Sequence, residues 1–419
     1  MTYRWDAGVH VPIAGPRAES VGTRLLVLLV PLWLVGLIFP PVVTPEGFET
    51  MQLIALVWLF PISLLVGREY FLYSSMLRHE TAIRLWMFLF LCAALLSAMV
   101  SEYPLLSTAH VFATAIGVLY CSGLWSCVKD RMRQCLSLYA VSGSLIVGCV
   151  YLIRPLHQGR LTWNATSQPN HLAIIAFGVL MAALVIRSRW LSTSLVVINL
   201  LVIIAAEGRG SLLASLLTLG VFAVLREVRS KNRRGVARMV GLTVLAFALA
   251  LAFQHEVTAA IERLLLLYDP TRGLHTGFTG RVHSWNDAFG LFLTKPFLGV
   301  GYRLHTLYGS AHSGYLALLA EVGLVGTSCA MVLTALVATR LWKMAVRGDE
   351  MSIVGLSAAA GYMFLAVFEG LFINTGLPTS MLVWIFFLMP NRRSVTTVMV
   401  PDRSRGRRQA WGQREVATG

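Results

Sequence analysis

The sequence predicts an all-α polytopic membrane protein, one integral domain over residues 1–419 with about 12 transmembrane helices and a single large loop on the outer side. Three observations lead there. Hydrophobic residues make up 56% of the chain and charged residues 13%, where a soluble domain carries about 25% charged. Apolar stretches close to the roughly 20 residues that a spanning helix needs recur along the chain. The basic residues fall mostly in alternate segments between those stretches.

Spans are predicted at 23–41, 51–67, 85–101, 108–127, 136–153, 170–187, 190–206, 211–226, 237–254, 312–339, 351–373 and 376–390. Pro61 weakens the second, and the last is short. The first 20 residues lack an apolar core, so no cleaved signal peptide is expected and the first span serves as the insertion signal. With the N-terminus in the cytoplasm and strict alternation, 27 of the 35 lysines and arginines are cytoplasmic. Such an excess is the positive-inside signature. It puts both termini inside and residues 254–311 outside. Residues 391–419 form a basic cytoplasmic tail suited to anchoring near anionic lipid.

The net charge of +15 does not point to nucleic acid. The basic residues sit in short loops, with no basic stripe carrying interleaved aromatics. The six cysteines, Cys92, Cys121, Cys127, Cys135, Cys149 and Cys329, lie in spans or at their ends and form no CxxC pair. Neither a disulfide framework nor a zinc site is indicated. No internal repeat is evident, which argues against an inverted-repeat transporter.

Outside arginines run against the topology rule and need a reason. Arg209 lies in EGRGS between two spans. Gly208 and Gly210 leave its backbone open to a ligand, and Ser211 can cap the next helix. A guanidinium beside a helix N-terminus is an anion site; a snorkelling arginine is the plainer reading. Arg160 lies in the outside loop GRLTWNATSQPNHLA, where Asn170 follows Pro169 as the expected cap of a span. Arg281 lies in FTGRVHSWNDAF. From Val282 this segment reads as an amphipathic helix with Trp285, Ala288, Phe289 and Phe292 on one face. Thr279 is its expected cap. An arginine in that first turn opposes the helix dipole and calls for a neutralising anion. Arg303 follows the turn GVGY, which ends in Tyr302.

His312 is expected in the first turn of the span that begins GSAHSGYLALLAEVGLVG, with Ser310 or Ser313 as cap. A helix N-terminus disfavours imidazolium, so a neutral imidazole able to take a proton is expected. A histidine that merely packs at the interface is the alternative. Residues 305–312 contain Gly309 and Ser310 and should not form a continuous helix. His305 and His312 lack further ligands nearby, so no metal site is expected. Glu321 and Glu369 are expected within spans, as functional acids or as partners of buried polar groups.

Taken in order, GRLTWNATSQPNHLA, EGRGSLLA, TGRVHSW, KPFLGVGY and AHSGYLALLAEVGLVG resemble the O-antigen ligase and polymerase superfamily of bacterial envelope enzymes. The resemblance covers roughly residues 150–330. It implies a GT-C-like membrane glycosyltransferase of the bacterial inner membrane, with the loop at 254–311 periplasmic and no cofactor. The implied donor is an undecaprenyl-pyrophosphate-linked glycan and the implied acceptor a hydroxyl of the lipid A–core. Arg209 and Arg281 would hold the pyrophosphate and His312 would deprotonate the acceptor. Arg160, Asn170, Trp285, Tyr302 and Arg303 would contact substrate. Ser313 departs from the asparagine that often follows the histidine. The chemistry agrees, because fixed guanidinium groups in a poorly hydrated groove can stabilise a pyrophosphate leaving group without a divalent cation. A polymerase or a protein O-oligosaccharyltransferase uses the same donor; the lack of an appended soluble domain favours the ligase. A lipid or polysaccharide transporter is the reading from another class. It would place its charges at mid-membrane.

Overall fold

The computed structural model describes residues 30–31, 34–35, 81–128, 131–153, 156–157, 160–162, 169–230, 262, 281–309, 311–370, 372–373 and 377–389. Apart from residues 30, 31, 34, 35 and 262, the expected spans at 23–41, 51–67 and 237–254, the loop from 254 to 280 and the basic tail lie outside these.

The described chain is helical apart from one two-residue strand pair. Its helices are α1 (Thr81–Met99), α2 (Pro104–Val128), α3 (Met132–Ile153), α4 (Pro169–Ala183), α5 (Arg189–Ala205), α6 (Arg209–Ser230), α7 (Arg281–Thr294), α8 (His305–Tyr308), α9 (Gly314–Val346), α10 (Glu350–Leu365) and α11 (Pro378–Phe387). Between α3 and α4, β1 (Leu156–His157) pairs antiparallel with β2 (Arg160–Leu161), with Leu156 opposite Leu161. Nine of the expected spans coincide with helices among the described residues. Five of these helices, α1, α2, α3, α6 and α9, are long and apolar enough to cross a membrane. The other four, α4, α5, α10 and α11, are shorter and equally apolar.

Polarity is distributed as a bilayer requires. Phe88, Leu105, Leu145 and Leu152 are exposed on the rim of the bundle, where water would penalise them and lipid would not. The centre belongs to α4 and α11. Every residue of α11 is buried, as is every residue from Leu172 to Val185. A helix that is apolar all round has no solvent face to show. Small residues let backbones approach closely, as between membrane helices generally. A methyl group on Gly361 would fall 1.9 Å from Thr218 Oγ1 on α6, and one on Gly178 would fall 2.4 Å from Thr379 Oγ1 on α11. Side chains also donate to backbone carbonyls across these contacts. Thr379 donates to the Ile174 carbonyl (2.8 Å) and Trp125 to the Ile385 carbonyl (2.6 Å).

The expected span at 312–339 is not one regular helix. α9 breaks at Gly323 (φ +62°, ψ −165°). Residues 296–301 lie against the break and take its freed backbone groups. Leu324 N–H donates to Pro296 O (2.9 Å), Val300 N–H to Ala320 O (2.9 Å) and Gly301 N–H to Glu321 O (3.1 Å). Ser97 Oγ on α1 also donates to Glu321 O. The backbones meet with no room for side chains. A methyl on Gly323 would sit 2.3 Å from Phe297 C, and one on Gly299 (φ +75°) would sit 2.3 Å from Glu321 C.

The segments expected outside meet at one end of the bundle. Lys295 Nζ donates to Val100 O (3.0 Å) and Tyr308 Oη to Glu102 (2.8 Å). Gly314 N–H donates to Ala366 O (2.7 Å), which ties the start of α9 to the turn after α10. That turn corrects the expected span at 351–373, because α10 ends at Leu365 and residues 366–370 form a turn.

Gly323→Ala should destabilise the protein by at least about 2 kcal/mol, since a left-handed backbone and a backbone clash act together. Thermal melting in detergent measures this. Gly290→Ala, at a position with no atom within 4 Å of an added methyl, should leave Tm within a degree or two or raise it slightly.

Candidate active site

The site lies where α7, the start of α4, the turn after α10 and the approach to α9 converge. Arg281 is the first residue of α7. Its Nη2 donates to Glu369 Oε1 at 2.9 Å, and its guanidinium lies 5.9 Å from the centre of the Phe368 ring. Asn170, the second residue of α4, donates from Nδ2 to the same Glu369 oxygen at 3.3 Å. Arg281 and Glu369 are both mostly buried. The anion demanded by an arginine at a helix N-terminus is therefore supplied, in this state, by Glu369. The sequence placed that residue inside a span; it lies in the turn that follows α10.

On α7, Arg281, Trp285, Ala288 and Phe292 follow one helical face. Ala288 and Phe292 are buried, and Trp285 Nε1 donates to the His312 carbonyl at 3.3 Å. Phe289, expected on the same face, is exposed. His312 is not in the first turn of α9. Ser313 is the N-cap, with its Oγ accepting from Leu316 N–H at 3.5 Å, and His312 precedes it with φ +43°. Burial lowers the pKa of the His312 imidazole, and the Arg281 guanidinium and His305 lower it further. The neutral form is thus favoured for reasons other than the helix dipole.

Left-handed backbone at non-glycine residues is costly and collects where surrounding structure enforces it. Among the described residues it occurs at Glu207, Arg303, His312 and Ile373. Glu207 precedes α6, Arg303 and His312 flank α8, and Ile373 follows the Glu369 turn.

The remaining expected site residues fall into two groups. Arg209 is the first residue of α6, half-buried. Ser211 does not cap this helix but lies inside it, buried, with its carbonyl accepting from Ser215 Oγ. Packing explains the first of the flanking glycines but not the second, where an added methyl would make ordinary contacts. A methyl on Gly208 would meet Ala173 Cβ at 2.2 Å. One on Gly210 would lie 3.7 Å from Phe368 Cβ, so the first turn of α6 borders the turn that carries Glu369. Arg160 pairs with His157 in the hairpin. Tyr302 is a buried core residue: its Oη is 3.0 Å from Thr114 Oγ1 and donates to Ile373 O, and its ring meets Phe90 edge-on. Arg303 follows it, half-buried.

Sequence reasoning left Glu321 unassigned and gave His305 no role beyond a rejected metal pair. The two are buried and form a short Nδ1 to Oε1 contact next to the α9 break. Among the described residues no three His, Cys, Asp or Glu side chains are grouped to hold a metal ion.

Six of the expected site residues, Arg209, Arg281, Trp285, Tyr302, Arg303 and His312, fall within one segment that matches a known family. Residues 194–331 match the family model described as O-antigen ligase. The match spans about a third of the chain and supports its likeness to the O-antigen ligase and polymerase superfamily. No curated protein matches the chain. The O-antigen ligase match runs from within α5 to the middle of α9, while Asn170 and Glu369 reach the same cluster from outside it.

Glu369→Ala should cost about 1–3 kcal/mol, between the exposed and the fully buried limits for removing one partner of an ion pair. A double-mutant cycle with Arg281→Met, read by thermal melting, should return a positive coupling energy.

Proposed function

We propose that this membrane enzyme transfers an O-antigen glycan from undecaprenyl pyrophosphate to a hydroxyl of the lipid A–core at the periplasmic face. The observation that carries this reading is the meeting of Arg281 and His312, from the two ends of the 281–312 segment, at one cluster closed by Glu369, Asn170 and Trp285. The family match supports the reaction class.

In the proposed reaction the acceptor oxygen attacks the anomeric carbon of the donor. A glycosidic bond forms, the bond from that carbon to the phosphate oxygen breaks, and the pyrophosphate leaves on its lipid. The acceptor proton passes to the His312 imidazole, which the low pKa leaves free to accept it. Negative charge grows on the leaving pyrophosphate. Arg281 uses Nη2 toward Glu369, and a guanidinium has five N–H donors, so the others serve the phosphates. Arg209 adds a second guanidinium at the start of α6, where helix N–H groups favour an anion. Glu369 and Asn170 act as positioning residues for Arg281. Trp285 holds the His312 backbone. Arg160 and Arg303 are assigned to the glycan or its phosphates, and Tyr302 to the scaffold beneath them. No metal is required, because the leaving-group charge is met by fixed cations.

His312→Ala should lower transfer in a purified assay by about 10²–10⁴-fold, and Arg281→Ala by about 10²–10³-fold, with both proteins inserted and folded. Full activity in both would overturn the mechanism. Arg209→Lys should lose activity if the contact is bidentate. The depressed His312 pKa fixes the acid limb of the rate profile. Activity should be retained as pH falls through the ordinary histidine value of about 6.5 and be lost only below it; a limb at or above that value would exclude His312 as the base. Deletion of the gene should leave lipopolysaccharide without long-chain glycan while the lipid-linked polymer accumulates. A core capped by a single repeat unit would mean a polymerase instead.

A further inference from the structure

At the opposite end of the bundle from the candidate active site, five arginines converge on a cavity of about 430 Å³. Arg133 comes from the first turn of α3, Arg187 from the connection between α4 and α5, Arg189 from the start of α5, and Arg226 and Arg229 from the last turns of α6. Among the described residues, the one carboxylate lining it is that of Glu350, the first residue of α10. Glu350 is held by Arg133 at 2.6 Å and Arg229 at 3.0 Å. The neighbouring Asp349 carboxylate is used in capping α10, accepting from Ser352 N–H.

That leaves Arg187, Arg189 and Arg226 exposed at the rim. None of the three makes an ion pair with a carboxylate among the described residues. Arg226 lies over the Phe222 ring at 6.0 Å. The inner wall is aliphatic, with Leu184, Val196 and Leu219 facing the cavity. Beside the mouth, Trp190 is 87% exposed, as are about half of Val197 on α5 and Val224 and Val228 on α6. An indole in that position suits the headgroup level of a bilayer, and the valines below it suit acyl chains. Topology selects for basic residues at this end of the helices. It does not require that arginines from three separate parts of the chain line one cavity with an apolar wall.

We propose that this cavity binds the phosphate headgroup of an anionic phospholipid. Arg187, Arg189 and Arg226 hold the phosphate, and the acyl chains run along the exposed apolar flank of α5 and α6. Basic pockets between spanning helices are suited to such headgroups. The bound lipid would clamp α3, α5, α6 and α10 together far from the transfer chemistry.

The test uses the full-length, delipidated protein in detergent, with phosphatidylglycerol, phosphatidylcholine or inorganic phosphate added. Native mass spectrometry reads retention and thermal melting reads stabilisation. Phosphatidylglycerol should be retained and raise Tm, and the other two should not. The variant R187Q/R189Q/R226Q should weaken phosphatidylglycerol binding about a hundred-fold, three basic residues at about 1 kcal/mol each. Glu350→Gln, which releases Arg133 and Arg229 from their carboxylate, should tighten it, a gain that damage to the fold cannot imitate. Equal binding by the triple variant, weaker binding by Glu350→Gln, or equal stabilisation by phosphatidylcholine or inorganic phosphate would overturn the proposal.

Discussion

The structure depends on the backbone contact between residues 296–301 and the break in α9. A helix opened at Gly323 exposes N–H and C=O groups in an apolar bundle, where each would cost several kcal/mol unpaired. The loop supplies the partners, and Ser97 supplies another. The loop is therefore docked on α9 by main-chain bonds rather than by side chains, and its path is fixed. From it follow the buried position of Tyr302, the contact of His305 with Glu321, and the approach of the chain to His312. The two halves of α9 have different tasks. The first begins at the Ser313 cap, directly after His312; the second crosses the bundle and leads into α10.

Much of the fold was legible because apolar length is a strong signal, and α1 to α6 begin and end within a few residues of expectation. The failures share a cause. An apolar run does not reveal where its hydrogen bonds stop being helical. Gly323 looks like any glycine in AEVGLVGTS, and LAVFEGLFI continues the pattern of α10 although the helix has already ended. Glu369 was hidden for that reason. Its charge in an apolar stretch was the available signal, and Asn170 and Arg281, each singled out separately, are what it joins.

Residue roles were less legible than residue positions. Gly208 was read as leaving room for a ligand, but its room is filled by Ala173. Ser211 was read as a cap, yet α6 starts two residues earlier. His312 was expected to be neutral through the dipole of α9, whereas burial and two nearby nitrogen side chains act on it. In each case the local rule was sound and a tertiary neighbour decided the outcome.

The contact of Glu369 with Arg281 also bears on selectivity. Under the proposed function an arriving anion would meet a guanidinium that already has a carboxylate beside it, so association would be an exchange of partners, or a sharing of one, rather than the filling of an empty slot. A carboxylate or a singly charged ester offers Arg281 little that Glu369 does not. A more highly charged group offers more, and can engage the first turn of α6 at the same time. In the proposed reaction the same acid would repel the pyrophosphate once it has lost its glycan and gained charge, which would favour its departure. One fixed glutamate can in this way act as a threshold on arrival and an aid on exit.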